Sequence, residues 1–151
     1  MSIDKDIHQV KFKNEYHKAT VNLLYTYSWL MEKIKDILAE ADITPQQFNI
    51  LRILRGSYPN PLSTLQIRER MLDKMSDTSR IVDRLIVKGL VKKSISKTDR
   101  RLVDVVIIVK GRRLLEKLDE KQQELDGILK NLSDKDASDL SKLLDKMRSA
   151  D

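Results

Sequence analysis

The sequence predicts a mainly α fold with a small β-hairpin, and three observations carry that expectation. Apolar residues recur at helical spacing through most of the 151 positions. β-rich runs are confined to residues 90–95 and 102–109, with a stretch between them too polar for a core. Gly and Pro number only four and three, so long structureless loops are not expected. The length suits a single domain over 1–151, one compact module with helical arms.

Residues 1–13 scatter Ile3, Ile7, Val10 and Phe12 at no clean period, as an arm packing onto something else would. A long helix is predicted over 14–41, where no Gly or Pro intervenes. Tyr16, Thr20, Leu23, Tyr27, Leu30, Ile34, Ile37 and Ala41 alternate spacings of four and three along it, and Leu24, Met31 and Leu38 widen the stripe. Tyr25 and Trp29 project to the far side, among Asn22, Glu32 and Asp36, so this helix needs two partners. Thr44, Pro45 and Gln47 form a helix start with a capping box, continued by Phe48, Leu51, Ile53 and Leu54 to about Arg55. After a loop over 56–61, Ser63 and Gln66 open a short helix through Leu65, Ile67, Met71 and Leu72.

Ser76 is the expected cap of the next helix, which runs to about Lys88 and ends at Gly89 in a left-handed turn. Ile81, Val82 and Leu85 form its dry side, while Ser76, Ser79, Arg80, Asp83 and Arg84 lie on the other side and its flanks. The hairpin follows at once, its tip carrying Lys97, Asp99, Arg100 and Arg101. Beyond it, Leu114, Leu115, Leu118, Gln122, Leu125, Leu129 and Leu132 predict a helix of about six turns. Ser133 and Asp136 start a last helix with Ala137, Leu140, Leu144 and Met147. These stripes exceed what nearby chain can bury. A two-fold homodimer is therefore expected, built from 14–41 and 112–151 and contacting through Tyr16, Leu23, Leu125, Leu129, Leu132, Leu140, Leu144 and Met147.

Charge placement narrows the function. Residues 62–111 hold twelve basic and six acidic side chains, the whole of the net +6. A basic field on one segment is the electrostatic footprint of nucleic-acid binding. A helix showing short polar and arginine side chains fits a major groove, and a cationic hairpin tip can reach phosphates or the minor groove. Other chemistries lack their residues. There is no cysteine for a disulfide, a nucleophile or a thiolate site, and no phosphate-cradling glycine loop. Two N-terminal histidines, His8 and His17, make a poor metal site, and neither enzyme activity nor a cofactor is expected. With no leader pattern and no apolar run near the ~18 residues of a membrane span, a soluble cytoplasmic protein is expected.

From about Thr44 to Gly111 the order of elements, with Asp99, Arg100 and Arg101 as an Asp-x-Arg signature in the wing, resembles the MarR family of bacterial transcriptional regulators. The resemblance implies a winged helix-turn-helix over 44–111 between dimerisation helices at 14–41 and 112–151. It departs at Ile108, where the family commonly has a Thr that caps the following helix. It also implies that Arg101 enters the minor groove or meets adjacent backbone, with Asp99 holding it.

By residue chemistry, Arg80 and Arg84, one turn apart, are the expected DNA contacts of this helix, one on guanine and the other on base or phosphate, and Ser76, Asp77, Thr78 and Ser79 crowd the helix start, where hydroxyls and backbone N–H groups meet phosphate. A carboxylate beside phosphates repels, so Asp77 and Asp83 are each expected to pair with an arginine or to accept from cytosine. Lys92, Lys93 and Lys97 are expected on phosphates. Many such regulators release DNA when a small aromatic or anionic effector enters a cleft. Tyr25, Trp29 and Phe48 are the expected lining, against the plainer reading that the aromatics simply pack. The competing function is a winged-helix interaction module whose basic face meets an acidic protein partner.

Overall fold

The computed structural model describes residues 1–149. A short helix, α1 (Ile3–Asp6), precedes the long α2 (Glu15–Leu38), which Asn14 caps by accepting from the His17 amide. A 3-10 turn over Ala39–Ala41 ends α2, and Asp42 leaves it in the left-handed region. Next come α3 (Pro45–Ser57), β1 (Leu62–Ser63), α4 (Thr64–Arg70), α5 (Thr78–Val87), β2 (Val91–Ile95) and β3 (Val103–Ile107). The chain closes with α6 (Val109–Asp119), α7 (Gln122–Gly127) and α8 (Asp134–Arg148).

Three capping boxes form as their sequences predict, at Thr44 with Gln47, Ser63 with Gln66, and Ser133 with Asp136. Each side-chain oxygen accepts from a backbone N–H that the open first turn leaves without a partner. At the end of α5, Gly89 has φ 71°, its amide donates to the Ile86 carbonyl and the Leu90 amide reaches back to Leu85. That is the hydrogen-bond pair of a Schellman motif, and only a residue without Cβ takes this conformation cheaply.

Strand order is β1-β3-β2, all antiparallel. Val91, Val105 and Ile107 turn one face of this sheet onto Leu51, Leu54, Ile67, Val82 and Leu85 from α3, α4 and α5. Leu115 and Leu118 of α6 close the same core. The core thus lies under the winged module, and Leu38 is the only buried residue of α2.

Four expectations need correction. Asp77 caps α5, its Oδ1 accepting from the Arg80 amide at 3.1 Å, because its carboxylate reaches the first turn while the Ser76 hydroxyl is turned inward. The short helix α4 stops at Arg70, where Met71 turns extended to bury its side chain and leaves Leu72 exposed. The hairpin gains a third strand, β1, opposite Val105 and Asp104. The six-turn helix after the wing breaks into α6 and α7. At the break, tight bonds from Lys121 to Leu118 and from Glu124 to Lys121 replace the α-helical ladder, and Lys121 is held by Glu40 at 2.6 Å.

Candidate nucleic-acid interface

α5 offers the expected two-sided surface. Val82 and Leu85 are buried, and Ser79, Arg80, Asp83 and Arg84 are exposed. Asp83 Oδ1 meets Lys93 Nζ at 2.6 Å, so its partner comes from the wing strand β2 and not from an arginine. Arg80 and Arg84 form no ion pair among the described residues.

At the helix start the placements differ. Thr78 is 4% exposed, and the Thr78 Oγ1 and Ser76 Oγ atoms are buried without a hydrogen-bond partner. Both residues line a cavity of about 430 Å³ with Thr64, Leu65, Arg68, Asp77 and Ser79. Arg68, on α4, joins these residues only through the fold; its sequence neighbours carry no signal beyond charge.

The wing tip is ordered by short-range bonds. Ser96, buried, accepts from the Thr98 and Asp99 amides at 3.3 Å, and the Leu102 amide closes the turn onto the Asp99 carbonyl at 2.9 Å. Asp99 then takes Arg101 three ways: Nε and Nη2 donate to its two oxygens at 3.1 Å each, and the backbone amide adds a bond of 3.0 Å. The Arg101 guanidinium beside Asp99 is the main cause that holds this carboxyl below the usual aspartate range; the backbone bond adds to it and burial opposes it. The Arg101 side chain remains 90% exposed, oriented yet open to a ligand. Lys97 and Arg100 flank it in solvent.

Tyr25 and Trp29 are exposed on α2. Phe48 is half-buried on α3, its ring 5.5 Å from the Arg52 guanidinium. A cavity of about 740 Å³ lies elsewhere, between Asp42 and Ile43, the α5–β2 turn at Lys88 and Leu90, and α6 at Lys110, Arg113 and Lys117. Of the expected dimer contacts, Tyr16, Leu23, Leu129, Leu132, Leu140 and Met147 are exposed, and Leu125 and Leu144 are half-buried.

Known proteins with this arrangement identify the family. Residues 43–103 match the MarR family. The chain is 30% identical to a MarR transcription factor from Planctomyces limnophilus over 93% of its own length and 100% of that chain, with a TM-score of 0.68. The chain belongs to the MarR family. MarR proteins are transcription regulators, not enzymes, and this one has their mainly α, winged-helix fold. Two further solved structures share that fold. One is a mutant MarR from E. coli complexed with operator DNA, 23% identical with a TM-score of 0.82 over 93% of this chain and 100% of that one. The other is BpsR of Bordetella bronchiseptica, whose DNA binding is regulated by 6-hydroxynicotinic acid, 20% identical with a TM-score of 0.81 and the same coverage. No curated relative matches the chain. Among the described residues no helix is long and apolar enough to cross a membrane.

Proposed function

We propose that this MarR-family chain is a homodimeric, sequence-specific binder of double-stranded DNA, a repressor of a pseudo-palindromic operator that a small aromatic or anionic effector releases. The observation that carries it is Arg101, clamped by Asp99 yet open to solvent, beside a helix whose Arg80 and Arg84 are unpaired. In this reading α5 lies in the major groove, with Arg80 and Arg84 on base edges. The start of α5, Ser76 to Ser79, meets a phosphate through backbone N–H groups and the Ser79 hydroxyl. Lys97 and Arg100 meet phosphates, and Arg101 enters the minor groove.

The E. coli neighbour bound to operator DNA supports the mode of docking, and the exposed apolar stripes on α2 and α8 support a dimer. Effector release is supported by the regulated Bordetella neighbour and by Tyr25 and Trp29, which lie one turn apart on α2. Selection of purified protein against a randomised duplex pool tests the reading. The expected result is an inverted repeat with half-sites about ten base pairs apart. A pool without any enriched motif would contradict it and favour an acidic protein partner for the basic face.

A further inference from the structure

Lys93 occupies an unusual place for a lysine. In the register of the wing it stands opposite Val105, which is fully buried, and it shares a sheet face with Val91, 2% exposed. Directly opposed residues of an antiparallel pair point to the same side, so Lys93 stands on the core-facing side of β2, at the point where the core gives out. Its ammonium meets Asp83 of α5 at 2.6 Å, with both side chains about half exposed. This pairing sets it apart from Lys92, its neighbour on the opposite face.

Asp83 has another cation within helical reach. Arg80 lies three residues earlier on α5, and residues at that spacing are surface neighbours that pair when their charges are opposite. No such pair forms among the described residues, and the carboxylate is held instead by Lys93. We propose that Lys93 is a positioning residue that occupies Asp83 and so keeps Arg80 unpaired, leaving its guanidinium available for a base edge. Lys93 thereby acts through Arg80 and makes no phosphate contact of its own. The functional half of this inference rests on the DNA reading above; the pairing half does not.

A double-mutant cycle tests both halves. Lys93→Met frees Asp83 to capture Arg80, and Asp83→Asn removes the captor. In the free protein, the Arg80 Nε–H resonance should shift and exchange more slowly in Lys93→Met but return to its wild-type behaviour in Lys93→Met/Asp83→Asn. On the selected duplex, Lys93→Met should weaken binding about three- to ten-fold, since an exposed pair offsets only part of an arginine–base contact. The double variant should recover most of that loss, with the salt dependence unchanged in all. An unshifted Arg80 resonance in Lys93→Met overturns the proposal. So does a loss from Lys93→Met that is the same with and without Asp83→Asn and comes with a salt slope reduced by about one, the mark of a direct phosphate contact. A wild-type chain that binds no duplex overturns the DNA reading instead, and the resonance alone then decides the pairing.

Discussion

An arginine at the end of a two-stranded ribbon loses rotamer freedom when it enters a groove, and Asp99 removes part of that loss in advance by fixing the guanidinium with two parallel bonds. Because the Asp99 carboxyl titrates below its ordinary value, the clamp is complete above the normal aspartate range and fails only as pH falls through the lowered value. The Arg101 Nε–H signal should therefore still report a hydrogen bond at about pH 4, where an ordinary aspartate is half protonated. Asp99→Asn should lose it at neutral pH and weaken DNA binding, while a signal already lost near pH 5 would show that the carboxylate is not the clamp. This pair was legible through the family resemblance, whose Asp-x-Arg signature falls on Asp99 and Arg101. The partner of Asp83 was not, since Lys93 reaches it from another element, and neither was the inward turn of Thr78, which depends on how α4 packs beside α5.

Among elements, the legible ones are those that carry their own boundaries. Thr44 with Gln47, Ser63 with Gln66, and Gly89 mark helix ends through bonds made within a few residues. β1 escaped notice because two residues show no period, and only β3 gives Leu62 and Ser63 a ladder to join. The break between α6 and α7 was hidden for the opposite reason: the apolar period continues across it, while the backbone tightens at Lys121. The start of α6 lacks a side-chain cap, as Ile108 foretold, and relies on close packing. A Cβ on Gly111 would lie 2.3 Å from the Leu90 carbonyl oxygen and 2.8 Å from Ile107 Cγ1. Gly111→Ala must push α6 off the wing base, an overpacking effect of about 1–3 kcal/mol that a urea melt would read as a lowered midpoint. An unchanged midpoint would mean that α6 is free to shift.

For the whole molecule, the division of labour follows charge and apolar surface. Residues 62–111 carry the whole of the net +6 and the winged module holds most of the buried core, whereas α2 and α8 bury little and leave Tyr16, Leu23, Leu140 and Met147 in solvent. Arg55 with Asp119 ties the module to the end of α6, and Glu40 with Lys121 ties the N-terminal helical arm to the C-terminal one, both by ion pairs between distant segments. A second copy covering the stripes would set two α5 helices about one DNA turn apart, ~34–36 Å, and convert two weak half-site contacts into one tight one. The most direct test is an equilibrium titration, near physiological salt, of the selected inverted repeat against its scrambled version and a single half-site. Two protomers should occupy the repeat, bound about 10³-fold or more over the scramble, with the half-site well below the repeat. Equal binding to all three duplexes would contradict sequence-specific binding by a dimer.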